Sequence, residues 1–338
     1  MSTGADAHGG VFLRRGGVVE SVHRVSAALV DATGRLVAWT GDPGRVAFIR
    51  SSAKPLQAIP LVADGVTDAF DVTETELALC CASHGGEPKQ VQAVAGFLRR
   101  LGGRVSDLAC GPHPPMHAPS ARALAKAGRR PSRLHNNCSG KHAGMIAWSR
   151  HAGEPIEGYH RADHPAQERV RRELAAWAEM APGELVIAVD GCGVITFAMP
   201  IERMARAFAR LGAAAAAEPG SPAGRVVSAM VNEPYYVAGT GRLCTQLMER
   251  AGGLRVAKIG AEGVFCLGLL PEREGLAIKV EDGARRAVGP AVLEFLRRTG
   301  RIEDDVLESL AHHHAVVVKN TRREPVAELR AELEVRIA

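Results

Sequence analysis

A serine and a lysine three residues apart, Ser51 and Lys54 in Arg50-Ser51-Ser52-Ala53-Lys54-Pro55, constrain this chain more than any other feature. Pro55 suits the first turn of a helix, where a missing N–H costs little. Leu56, Ile59, Leu61 and Val62 follow at spacings that suit a buried helix. Residues 45–49 before it form a short apolar run that reads as β structure. The pair therefore marks a junction from sheet to helix. At a helix start its spacing places a hydroxyl and an amine on one face, one turn apart. A serine is a poor nucleophile until a base takes its proton, and a desolvated amine can be that base, because burial disfavours its charged form. Pairs of this kind serve acyl transfer in β-lactamase-type and penicillin-binding enzymes. Alone the spacing is common, and a solvated helix start is the plainer reading.

Three further segments narrow the choice: Ser83-His84-Gly85-Gly86-Glu87, His135-Asn136-Asn137-Cys138-Ser139-Gly140-Lys141-His142 and Asp190-Gly191-Cys192-Gly193. Each sets polar, reactive side chains beside glycines, the pattern of turns that carry chemistry. Cys138 and Cys192 sit among small or polar residues, which a core thiol does not require. Cys80, Cys81, Cys110, Cys244 and Cys266 read as small buried hydrophobes. Zinc favours thiolates, yet two distant cysteines without a Cys-x-x-Cys are by spacing a weak metal signal. His84, His135 and His142 read as hydrogen bonders that orient neighbours. Arg50 suits a carboxylate partner or a bridge between subdomains, and Asp190 suits a partner for Lys141 or for a substrate ammonium. His312-His313-His314 falls in a predicted strand and reads as surface.

Composition removes several function classes. The 338 residues are 46% hydrophobic and 23% charged, which suits a globular chain with a sizeable core. Net charge is +5, with both signs interleaved and no long basic run, so nucleic acid is not an expected partner. No apolar stretch reaches about 18 residues, so no membrane span is expected. The start, Met1-Ser2-Thr3-Gly4-Ala5-Asp6, lacks an apolar core after a basic run and argues against a secretory leader. Seven scattered cysteines fit a reduced, cytoplasmic setting better than a disulfide framework.

Periodicity predicts β structure over 17–50, with a hairpin at Asp31-Ala32-Thr33-Gly34, and again over 255–281. Helices are expected over 56–62, from Thr73, and over 89–101, 120–127, 141–149, 165–180, 197–211, 225–232, 241–251 and 290–298. Residues 185–189 read as a buried strand and 314–319 as a last strand. A flexible 1–10 thus precedes a single catalytic unit, 11–338. Its β-rich ends, about 11–50 and 254–320, surround a helix-rich middle, about 51–253. The expected class is α/β (α+β), with a sheet built from both termini and a helical middle subdomain, the layout of serine β-lactamases and related glutaminases.

With these blocks, the chain resembles the rhizobial-type (class 3) L-asparaginases over residues 17–320. The resemblance rests on Glu20-Ser21-Val22-His23-Arg24, on the four segments above, on Val237-Ala238-Gly239-Thr240-Gly241-Arg242 and on Lys258-Ile259-Gly260-Ala261-Glu262-Gly263. It implies a serine β-lactamase-like fold, a homodimer, and hydrolysis of L-asparagine to L-aspartate and ammonia. It also implies two Ser-Lys tandems, Ser51 with Lys54 and Ser83 with Lys258, and a zinc ion held by Cys138, Lys141 and Cys192. Arg50, His84, Asn136, His142 and Asp190 are the expected substrate-binding residues. Three rivals stand beside this reading. One is another Ser-Lys amidohydrolase or β-lactamase-like hydrolase, although Lys258-Ile259-Gly260 replaces the Lys-Thr-Gly strand motif. Another is a thiol amidase with Cys138 as nucleophile. The last is a non-catalytic protein that binds zinc or a small ligand.

Overall fold

A computed structural model describes residues 9–338. Of the flexible 1–10 expected above, residues 1–8 lie outside the described residues, and Gly9 and Gly10 open a strand. The residues sort into two compact units. One holds the chain up to Ser52, Met199–Ala213 and Ala257–Ala338; the other holds Ala53–Ala198 and Ala214–Val256. The class is mixed α/β, as expected.

The first unit is built on an antiparallel sheet. Its order is Val316–Lys319, Pro325–Leu333, Gly9–Arg15, Val18–Asp31, Glu274–Val280, Val264–Leu269 and Arg255–Ile259. The sequence explains the central position of Val18–Asp31. Its first half alternates with solvent, whereas Val25-Ser26-Ala27-Ala28-Leu29-Val30 is buried on both faces. Asp31 closes the predicted hairpin by accepting from the backbone N–H groups of Thr33 (2.9 Å) and Arg35 (3.0 Å). Gly275 is where this sheet meets a helix most closely. A Cβ there would lie 2.0 Å from the Ala205 carbonyl oxygen.

Both chain ends add more sheet than periodicity foretells. Gly9–Arg15 pairs with Pro325–Leu333, Val11 opposite Ala331. A glycine pair and outward charges hide these strands. The charges answer each other across the ladder, Arg14 holding Glu332 at 2.8 Å. His312, His313 and His314 lie on the short helix Ala311–His314 and not on a strand. His314 there meets Glu294 at 3.1 Å.

The second unit is mainly helical. Thr73 caps the helix Glu74–Cys80 through a reciprocal box: Glu76 N–H donates to its hydroxyl and the Glu76 carboxylate accepts from Thr73 N–H. Two expectations need correction. Val186–Val189 is a strand, but Val186 and Val189 are 57% and 75% exposed, because it pairs on one side with Ile195–Pro200 in a two-strand hairpin. The helix expected from Phe197 instead follows that strand and runs Ile201–Ala217. Thr196-Phe197-Ala198-Met199 satisfies either period, and pairing with Val186–Val189 decides for strand.

Helix-to-helix approach in this unit depends on two glycines one turn apart. The helix Ser139–His151 presses Gly140 and Gly144 onto Glu74–Cys80. A Cβ on Gly140 would sit 2.3 Å from the Leu79 carbonyl oxygen, and one on Gly144 would sit 2.8 Å from Cys80 Sγ. Among the described residues, no helix is long and apolar enough to cross a membrane.

A buried carboxylate anchors the same bundle. Desolvation works against ionised Glu76, but hydrogen bonds from Arg100 (2.6 Å) and from Thr73 N–H (3.0 Å) outweigh it and hold the carboxyl below its usual 4.5. A lowered folded pKa gives stability that is complete above the unfolded value and is lost as pH falls through the folded one. Arg100 is half in solvent, so the pair contributes only about 1 kcal/mol. Thermal unfolding should therefore show Glu76→Gln less stable than wild type at about pH 6, with the difference closing towards about pH 3.

Candidate active site

In the first unit, the sheet-to-helix junction is a tight turn. Arg50–Ala53 forms a 3₁₀ turn directly before the helix Lys54–Ala63. Arg50 takes φ of +51°, a left-handed backbone that non-glycine residues enter at a cost of roughly 1–2 kcal/mol. The two serines that follow differ in their surroundings. Ser52 is fully buried and donates to the Lys258 carbonyl oxygen at 2.9 Å, so it braces the turn. Ser51 is only half-buried. Gly260 allows this contact, since a Cβ there would lie 2.9 Å from Ile49 O and 3.1 Å from Ser52 Oγ. Lys258, 1% exposed, thus starts from a strand end fastened to the Ser51 turn, and its amine donates to Ile259 O at 2.8 Å.

In the second unit, Lys54 is the hub. It is 1% exposed, and its Nζ reaches Ala82 O, Ser83 Oγ (3.0 Å) and Cys138 Sγ (3.1 Å). Three contacts match the three hydrogens of an ammonium. In the neutral amine, two would be donated and the lone pair would face one proton-bearing partner. Ala82 O can only accept, so that partner is Ser83 or Cys138. The hydroxyl met by Lys54 within this unit is therefore that of Ser83.

Ser83 is held from several sides. Its N–H donates to Val237 O at 2.9 Å. Four residues on, the buried Glu87 accepts from Thr240 N–H and Thr240 Oγ1, both at 2.8 Å, and so pins residues 83–87 to 237–240. His84 is fully buried and accepts Gly86 N–H on Nδ1 (3.1 Å). That leaves the hydrogen on Nε2, which donates to Ser139 Oγ at 2.9 Å, and Ser139 passes its own to Leu134 O at 3.0 Å. Burial, with Lys54 nearby, pushes His84 down to about 3, so it stays neutral. With both nitrogens occupied, His84 braces the Ser83 loop and has none left for the substrate contact expected of it. Asn136 is similarly committed, donating to Gly111 O (2.7 Å) and accepting from Cys138 N–H (2.9 Å). It shapes the turn that presents Cys138.

A second cluster adjoins this one. Cys192 projects from the hairpin turn after Val186–Val189, where Gly193 at φ +88° returns its N–H to Asp190 O. Its sulfur meets Lys141 Nζ at 3.1 Å. Cys138 Sγ donates to Asn137 Oδ1 at 3.1 Å, and the neighbouring Cys192 sulfur together with burial pushes the Cys138 thiol well up. Cys192, beside Cys138 and facing the Lys141 charge, is pushed strongly down despite its own burial. Burial alone would lower Lys141, but the two sulfurs and Asp190 raise it instead.

Counting only His, Cys, Asp and Glu, no group of three that could hold a metal occurs among the described residues. Lys141 Nζ and Cys192 Sγ lie 3.1 Å apart with Cys138 beside them; thiolates are zinc ligands, and a lysine could join them only as the neutral amine. His142 stands behind this cluster. It is fully buried, burial pushes it down to about 4, and the Cys192 sulfur acts on its ring. It therefore faces the sulfur cluster, not open solvent. Tyr159 holds the other edge of this ring and is absent from the sequence reading. Its only signal was its place in Gly158-Tyr159-His160, which carries no spacing to the other segments.

The sequence model of the L-asparaginase II family matches residues 11–331. Among curated proteins, none matches the chain.

Proposed function

The chain belongs to the L-asparaginase II family, an amidohydrolase acting on asparagine, and from that premise we propose a serine mechanism in which Lys54 is the central base. The observation that carries it is the buried Lys54 amine on the Ser83 hydroxyl at 3.0 Å. Ser51 is the nucleophile, since Ser52 is buried and committed to Lys258 O. Lys54 takes the Ser51 proton as Oγ attacks the side-chain amide carbon of L-asparagine. Ser83 passes a proton to the leaving nitrogen, which departs as ammonia. Ser51 then carries a β-aspartyl ester; water attacks it, giving its proton by way of Ser83 to Lys258, while Lys54 returns its proton to the departing Ser51 Oγ, and L-aspartate leaves. Lys258 is the partner of Ser83 in this reading and restores its proton. Arg50, with its strained backbone, and Asp190 are the charges offered to the substrate carboxylate and ammonium.

Cys138, Lys141 and Cys192 are the proposed zinc ligands, with Lys141 binding as the neutral amine. Bound there, zinc would supply a Lewis-acidic anchor for the polar groups of the amino acid. The protein acts as a homodimer in this proposal, which light scattering of the purified chain tests.

Ammonia release from L-asparagine, with L-glutamine and D-asparagine in parallel, tests the reading. Ser51→Ala should lower turnover about 10³-fold or more. Turnover that survives would move the nucleophile to Ser83 or Cys138. The thiol reading is tested by Cys138→Ser, which should abolish turnover if Cys138 is the nucleophile; a variant that keeps zinc-independent turnover rejects it.

A further inference from the structure

A surface helix normally buries one face, but the helix Ala118–Lys126 buries none of its residues. Its Ala123 and Leu124, with Ala127 just beyond, form one wall of a groove. The facing wall is the helix Pro88–Arg100, which offers Val91 and Ala95, one turn apart on one face. The walls stand apart, and the space between them is about 580 Å³. Small-molecule sites fall in the range of roughly 300–1,000 Å³ and are mostly apolar with a few placed polar groups. All of these residues belong to the second unit. Lys54, Ser83 and Cys138 take no part in the lining.

The charged groups here are all of one sign. From Leu108 to Gly153 the chain holds no Asp or Glu, and no carboxylate lines the groove. Glu87, adjacent in sequence, is buried and turned to Thr240. Arg129 lines the groove, and its guanidinium is exposed and forms no ion pair or hydrogen bond among the described residues. Arg122, Lys126 and Arg130, on the same segment, are exposed as well. His135 also lines the groove. Its Nδ1 accepts the Ser132 backbone N–H at 3.0 Å. A backbone N–H can only donate, so the ring hydrogen sits on Nε2, which has no partner among the described residues. Burial pushes His135 down, and the Arg129 charge adds to this, so the ring is neutral.

A guanidinium and an N–H without partners, beside apolar walls, suit an apolar body that ends in one carboxylate. A neutral apolar molecule would leave both donors unused, and a cation would meet the Arg129 charge. We propose that the groove between Pro88–Arg100 and Ala118–Lys126 binds a soluble amphipathic monocarboxylate, a fatty or aryl acid. Its carboxylate lies on Arg129 and His135 Nε2, and its apolar body runs along Val91, Ala95 and Leu124.

Calorimetric titration of the full chain with decanoate tests this, with decyltrimethylammonium as a cation of like apolar length. One decanoate should bind per chain, and the ammonium should bind at least about tenfold more weakly. Arg129→Gln should weaken decanoate about tenfold, the loss of one charge-assisted hydrogen bond at a solvated site. Ala95→Phe should fill the groove and abolish binding. Both positions are at the surface, and thermal melts check that the variants fold. Ser51→Ala should bind decanoate as wild type does. Decanoate lost in Ser51→Ala, or kept in full by Arg129→Gln and Ala95→Phe, would place it elsewhere and overturn the proposal. Equal affinity for the two probes would make the groove an unselective apolar surface and overturn it as well. So would the absence of decanoate binding in wild type. If Ala95→Phe then changed the mass seen by light scattering, the occupant would be a second copy of this chain.

Discussion

Lys54→Met should leave a folded protein that releases ammonia from L-asparagine about 10³- to 10⁴-fold more slowly, the loss expected when a positioned general base is removed. Methionine has similar length and fills the channel, so packing around Ala82, Ser83 and Cys138 should change little. The substitution leaves Ala82 O without its donor, at a cost of roughly 1–3 kcal/mol, but it also removes a buried amine. The effect on unfolding should therefore be far smaller than the effect on turnover. Lys54→Arg should not rescue, because a guanidinium keeps its proton near neutral pH and cannot act as a base. The loss should appear mainly in kcat, since in the proposed reading the amine acts on protons in flight and not on bound substrate. If kcat fell less than about tenfold while the melting temperature dropped sharply, Lys54 would be a clamp joining residues 82–83 to 138. The base would then have to be sought elsewhere, with Lys258 the next candidate.

The residues that meet Lys54 also show what a sequence discloses. Segments rich in glycine and polar side chains announced themselves: Ser83, Cys138 and Cys192 were all singled out from their turns. The pairing within them did not. The Ser-x-x-Lys spacing points to Ser51 as the hydroxyl for Lys54, whereas the amine is hydrogen-bonded to Ser83 at 3.0 Å and to Cys138 at 3.1 Å. A lysine side chain is long enough to leave its own turn, and its destination is set by elements dozens of residues away. The histidines mark a second boundary. His84 and His142 look like ligand-facing residues because they flank reactive motifs, yet both are fully buried and brace those motifs. Periodicity gave most helices within a few residues, since amphipathic faces and a Thr73-type cap are local signals. It missed Pro325–Leu333 and Ile195–Pro200, whose strand character comes from pairing with distant partners.

Gly140→Ala should cost about 3 kcal/mol and lower the melting temperature by roughly 5–10 °C, at the upper end for a single methyl group. In sequence, Gly140 reads as part of an Asn-Cys-Ser-Gly turn. It lies instead in the first turns of the helix Ser139–His151, where alanine would be favoured by about 1 kcal/mol on propensity alone. The opposing effect is steric and larger. The added Cβ would stand 2.3 Å from Leu79 O and 2.7 Å from Leu79 C, both backbone atoms that cannot rotate away. Relief requires the helix Ser139–His151 to withdraw from Glu74–Cys80. The helix Glu74–Cys80 leads into Ser83, and Ser139–His151 begins beside Cys138 and carries Lys141. Withdrawal should thus lengthen the contacts of Lys54 with both sides at once, so turnover should fall even at temperatures where the variant is fully folded. Gly144→Ala makes the informative comparison, since its Cβ would meet the Cys80 side chain at 2.8 Å, which can shift more readily than backbone. It should be milder in both stability and turnover. If Gly140→Ala melted as wild type, the approach of these two helices would not be what fixes the site, and the loops pinned by Glu87 would have to carry that role alone.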